Sequence, residues 1–281
     1  MTKLLLNRQN KAMRIGMVLV ITGVLLFVAT LPESVWLSRG QSTESRTGTV
    51  INNVLVSGTT SSTASYELVD INTLVLETFS GNIEVEISHT MSSLGEFEIK
   101  EKADDKRGMS QKTPILERKG NVLSLKAIKP NTCLNCSISY RIKLGKAMRL
   151  ELRADNGDIT VVGLSNSIKA KNTNGNIAIS QTGKTVLDLE SNNGDITLED
   201  LALVASSQNK IRSENGGIVL KQLKNTTGLH LYGTTQNGNF VSDRDDLQMS
   251  TPDNDQFQAD LNGDNPARVE LFSNNGDITL E

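Results

Sequence analysis

The chain has 281 residues, 22% of them charged, and a formal net charge of -3. That balance excludes a polybasic nucleic-acid surface and a disordered acidic tail. Aromatics make up only 4%, so the core has to be built from many thin aliphatic layers, which suits stacked repeats better than a globular sandwich.

The first element carries an address. Lys3, Arg8, Lys11 and Arg14 precede an uncharged run from Ile15 to Leu31. As a helix that run spans roughly 26 Å, near the lower limit for crossing a bilayer. Pro32 ends it, and Trp36 suits the far interface. The expectation is a cytoplasmic segment over 1–14 and a transmembrane signal-anchor helix over 15–37. The protein would cross the cytoplasmic membrane once, N-terminus inside, with its bulk periplasmic or extracellular. A cleaved signal peptide is the rival, but the run exceeds a usual h-region and no small-x-small site follows it.

Residues 38–65 are rich in Ser, Thr and Gly. They predict a stalk with at most one short strand around Val50–Val56. From 66 to 281, short alternating runs separated by Asn, Gly, Asp and Ser turns predict an all-β domain.

Internal periodicity defines that domain. The turn glycines Gly157, Gly175, Gly194, Gly216, Gly238 and Gly276 are separated by 18, 19, 22, 22 and 38 residues. Two residues after each stand Ile159, Ile177, Ile196, Ile218, Phe240 and Ile278, and five before stand Leu152, Ala170, Leu189, Ile211, Gly233 and Leu271. Asn precedes every one of these glycines: Asn156, Asn174, Asn193, Asn215, Asn237 and Asn275. Each unit reads as strand–turn–strand with one inward set of side chains. One unit cannot bury its apolar face alone, so the expected fold is a parallel β-solenoid of about 18–22-residue rungs. The rungs begin near residue 70 with Gly81, pause in an excursion over Asp104–Lys119, and run regularly over 138–281. Corner insertions are expected at 205–208 and 225–227. The gap of 38 is read as two units, the missing one being a degenerate rung. Asn-Gly is expected to form the corner through left-handed backbone, and the Asn side chains to stack as a ladder. The last strand, at Leu280, is expected to leave an open edge through which the domain could self-associate.

Catalysis is not expected. The residues after the turn glycines include Asp158, Asp195 and Asp277, which suit turns without further purpose. Two rungs separate Asp158 from Asp195, about 9.6 Å, the outer edge for paired carboxylates of a glycosidase. His89 and His230 read as ordinary strand residues. Arg153, Lys171, Glu190 and Arg212 read as a solvated face. Cys133 and Cys136 form a C-x-x-C without the βαβ setting of a redox site. They read as a local disulfide, with free thiols as the alternative and zinc short of ligands. No catalytic, cofactor or metal set is therefore assigned.

The run Tyr140-Arg-Ile-Lys-Leu-Gly145 followed by Asn156-Gly-Asp-Ile159 resembles the bacterial "putative-adhesin" family, also filed as a domain of unknown function. Gly145 stands where that family often has Pro. The resemblance covers about 66–281 and implies a solenoid-like β fold and an envelope location, with no catalytic residues to carry over. The excursion and the C-x-x-C depart from the family pattern. The expected function is a non-catalytic binding or adhesion-like scaffold, its partner an envelope protein or a surface polymer. The alternatives are a glycan-active β-helix enzyme and an assembly module stacking through its open end.

Overall fold

Alternation with period 2 runs between almost all the turns, and the computed structural model folds each such run as a β-strand. It describes residues 45–281 except 52–53, 88–92, 104–113, 130–132, 134, 164–165, 224–227, 246, 254 and 262. The basic segment 1–14, the run expected to form a membrane helix and His89 lie outside the described residues.

The described residues open with the hairpin β1 (Ser45–Ile51) and β2 (Val54–Glu67), then β3 (Thr73–Thr78), β4 (Ile83–Ile87) and the long β5 (Leu94–Ala103). The hairpin β6 (Ile115–Lys119) and β7 (Val122–Lys126) leads to β8 (Ser137–Leu144). Strand pairs with Asn-Gly corners follow: β9 (Arg149–Asn156) with β10 (Ile159–Val162), β11 (Ser167–Asn174) with β12 (Ile177–Ser180), and β13 (Lys184–Asn193) with β14 (Ile196–Glu199). After the short β15 (Ala202–Leu203) come the pair β16 (Gln208–Asn215) and β17 (Ile218–Lys221), and the pair β18 (Leu229–Thr235) and β19 (Phe240–Ser242). The hairpin β20 (Gln248–Asp253) and β21 (Gln256–Leu261) precedes the last pair, β22 (Ala267–Asn275) and β23 (Ile278–Leu280).

The two strands of each pair enter different sheets. One sheet runs β1-β2-β5-β8-β4-β10-β12-β14-β17-β23-β19, the other β20-β21-β18-β22-β16-β13-β11-β9-β3-β7-β6. In the middle of both, neighbours are parallel and in register. Ile159, Ile177, Ile196 and Ile218 stand side by side, as do Leu150, Ile168 and Leu187. All of these are buried, and each contributes about 1.5–3 kcal/mol of gross hydrophobic stabilisation. Tyr140 is also fully buried in this core, and its hydroxyl donates across to the Glu77 carbonyl on the facing sheet at 3.2 Å. Burial, reinforced by the Glu101 and Glu77 carboxylates, pushes its phenol pKa up.

Several expectations need correction. The region read as a stalk holds two strands, and β2 runs antiparallel to β5 from Gly58 opposite Ala103 to Glu67 opposite Leu94. Backbone pairing needs no apolar side chains, which is why a Ser/Thr-rich strand escaped notice. The excursion is not irregular to its end, since Ile115–Lys119 is β6. Parallel stacking resumes at β7 rather than at 138, with Leu123 beside Leu74 and Leu125 beside Leu76. The sheets are mixed rather than purely parallel: β2, β5 and β8 are antiparallel neighbours at one end, and β18, β21 and β20 at the other. Of the two expected corner insertions, the first contains a turn with Ser206 in left-handed backbone (φ 58); the second lies outside the described residues.

The degenerate rung expected between Gly238 and Gly276 is instead the antiparallel hairpin β20–β21. The last pair, β22–β23, wedges between β16–β17 and β18–β19. Ile278 is flanked by Ile218 and Phe240. The strand expected to be an open edge is therefore interior, and self-association through it loses its premise.

Candidate functional site

The corner between the two sheets concentrates most of the recurring polar residues, and three columns of hydrogen bonds run along it. The outer column is the asparagines. Asn174 donates its amide to the side-chain oxygen of Asn156 at 3.0 Å, Asn193 to Asn174 at 2.9 Å and Asn215 to Asn193 at 2.9 Å. Asn275 continues to Asn215 at 2.7 Å and Asn237 to Asn275 at 2.9 Å. Asn156 closes the column on the Phe79 carbonyl at 3.1 Å. None of these asparagines adopts left-handed backbone. Of the two sequence-based reasons for them, left-handed backbone does not apply, whereas the expected side-chain ladder is present because an amide donates and accepts at once.

The second column follows the glycines. Backbone N–H groups of Asp158, Asn176, Asp195 and Gly217 donate to the side-chain oxygens of Asn82, Asp158, Asn176 and Asp195, at 2.8–3.0 Å. Asn239 does the same to Asp277 at 2.8 Å. Only an acceptor oxygen is needed, which explains why Asp and Asn interchange. The Asp158 and Asp195 carboxylates each accept such a bond, with Asn176 standing between them.

The third column faces inward and was missed in the sequence. Asn172, Ser191, Ser213, Ser273 and Thr235 donate to the carbonyls of Gly157, Gly175, Gly194, Gly216 and Gly276 at 2.7–3.3 Å. Each lies three residues before its own turn glycine and is buried. The signal was there, a small polar residue recurring at an inward position, but it resembles turn chemistry when read in one dimension. The turn glycines are packed as tightly. A Cβ at Gly194 would overlap the carbonyl of Gly175, and the other turn glycines meet the neighbouring strand pair in the same way.

Cys133 and Cys136 are disulfide-bonded, with Cα atoms 5.8 Å apart. Both are buried, beside Ala103 and Phe79, at the corner between β7 and β8. This loop takes the place of an Asn-Gly turn at that strand pair. His230 pairs with Asp260 directly across β18 and β21, on the surface. No group of three His, Cys, Asp or Glu side chains suited to a metal occurs among the described residues.

The outward face of the β11–β13 region is closed by neighbouring opposite charges: Lys169 meets Asp188 at 3.0 Å and Lys171 meets Glu190 at 2.8 Å. Glu98 on β5 sits beside Lys100 and accepts from Ser61. Burial would raise its pKa, but the Lys100 and Ser61 hydrogen bonds, with the charges of Lys100 and Arg141, outweigh that and lower it.

No family model and no curated protein matches the chain. Among solved structures it is similar to a "putative cell adhesion protein" from Clostridium sporogenes, at 12% identity and TM-score 0.46, covering 85% of this chain and 99% of that one. It is also similar to a "putative adhesin" from Bacteroides fragilis, at 12% identity and TM-score 0.32, covering 79% and 97%. A further "putative adhesin", from Parabacteroides merdae, has 12% identity and TM-score 0.22 over 79% and 96%.

Proposed function

We propose that the chain is a membrane-anchored, extracytoplasmic β-solenoid serving as a non-catalytic binding or adhesion-like scaffold in the cell envelope. The observation that carries this reading is the fate of the corner polar groups. The side chains with which a repeat could do chemistry are engaged in bonds from one strand pair to the next. What remains for function is the outward surface of a rigid stack.

The basic segment 1–14 and the uncharged run 15–31 support a tether that leaves the domain outside. The Cys133–Cys136 disulfide suits an oxidising compartment. The sequence resemblance to the "putative-adhesin" family points the same way. The partner is an envelope protein or a surface polymer.

Two experiments test this. Alkaline phosphatase fused after Glu281 should be active in cells, and an inactive reporter overturns the location. The intact chain, cross-linked in membranes and recovered in detergent, should retain an envelope protein or polymer. Recovery no greater than a bait-free control overturns the binding role.

A further inference from the structure

We propose that the outward face of β16, β22, β18 and β21 binds an uncharged polysaccharide chain, an assignment that rests on the scaffold role above. The register of the sheet shows how this face differs from the rest. One outward column runs Lys126, Glu77, Arg153, Lys171, Glu190 and Arg212, all charged. At the next strand it turns into Phe272, then Thr234 and Gln256. The neighbouring column runs Glu151, Lys169, Asp188, Lys210 and Glu270, then turns into Tyr232, Gln258 and Ser250. Charge gives way to rings, amides and hydroxyls in both columns at the same end of the sheet.

Four of the chain's ten aromatic residues fall between 232 and 272. Two of them, Phe240 and Phe257, face each other with ring centroids 4.0 Å apart. Phe257 is fully buried, and a Cβ at Gly233 would overlap its ring, so the strand carrying Tyr232 is clamped from beneath. The other two face outward. Tyr232 is 41% exposed, with its hydroxyl donating to Gln256 at 3.2 Å. Phe272 is half-buried under the Arg212 guanidinium, 5.0 Å from its ring centroid. Strand geometry sets Tyr232 and Phe272 about 8 Å apart. β18 lies between β22 and β21, so Tyr232 is no edge residue free to swing away.

The charges here name the ligand class. Lys210, Arg212 and Arg268 are balanced by Glu214, Glu270 and Asp260 on the same face, leaving no net field to draw a polyanion or polycation. An exposed ring with planar amide and guanidinium groups around it matches a sugar chain, whose C–H faces stack on aromatics and whose hydroxyls both donate and accept. The surface is too polar for a hydrophobic protein contact.

Affinity electrophoresis of the full chain in mild detergent tests the assignment, with β-glucan, mannan or galactan in the gel and alginate as the charged control. At least one neutral polysaccharide should retard the chain. Tyr232→Ala should lose at least tenfold in affinity and Gln258→Ala several-fold. Lys171→Ala, on the charged part of the same sheet, should bind like the parent. Thermal melting of each variant checks that the fold is intact. Retardation by none of the neutral polymers, preference for alginate, or parental binding by both Tyr232→Ala and Gln258→Ala overturns the proposal. If the membrane cross-linking still retains a partner in that event, the site falls and the scaffold reading stands; an empty cross-linking experiment removes both.

Discussion

Ile196 and Thr197 are adjacent residues with opposite roles. Ile196 is fully buried between Ile177 and Ile218, whereas Thr197 faces outward. Ile196→Ala should cost about 2–5 kcal/mol in urea unfolding, while Thr197→Ala should stay within about 0.5 kcal/mol. Equal losses would contradict the register. A second prediction concerns the inward polar column. Ala154 occupies the position held by Asn172, Ser191 and Ser213 in the following units, so the Gly81 carbonyl has no hydroxyl or amide donor from β9. Ala154→Ser should raise stability by about 0.5–1.5 kcal/mol; a loss would mean that this carbonyl is already satisfied. The inward Ile and Leu positions were legible in the sequence because period 2 and the Asn-Gly landmark fix which side each residue faces. The inward polar column was not, because a buried Ser or Asn is recognisable only when the carbonyl it serves is in view. The cluster of Tyr232, Phe272 and Gln258 was illegible for a similar reason. Its members lie far apart in the chain, and only the pairing of β18, β21 and β22 brings them together.

Among the elements, the strand pairs with Asn-Gly corners were recognisable, but the order of stacking was not. All the units share one register and one corner, so any could sit on any other. What decides is the chain between them. The hairpin β20–β21 continues the sheet beyond β18, and the return from β21 delivers β22 to the opposite side of β18. The same reordering occurs at the other end, where β7 and β8 lie outside β3 and β4, and β9 and β10 lie inside them. Removal of residues 267–281 tests this directly. It strips neighbours from β16, β17, β18 and β19 at once, along with the buried Val269, Leu271, Ile278 and Leu280. The loss should be on the order of 5 kcal/mol in urea unfolding, with Phe257 exposed to dye binding. An unchanged urea midpoint would place β22–β23 at the periphery instead.

At the scale of the molecule, the stack has a middle in which sequence order and spatial order coincide and two ends in which they do not. From β9 to β17 each strand pair follows its predecessor in both senses. A second copy of residues 176–194 inserted after Gly194 should therefore fold, lengthen every hydrogen-bonded column by one step and melt close to the parent. The same segment appended after Glu281 should remain unstructured, since β23 is already paired on both sides. Equal behaviour of the two chains would contradict the interlaced ends. This has a consequence for inheritance. A simple array gains or loses units wherever recombination slips, and its length drifts. Here slippage is tolerated in the middle and penalised at both ends, so related chains should differ in the number of central units while keeping their terminal architecture.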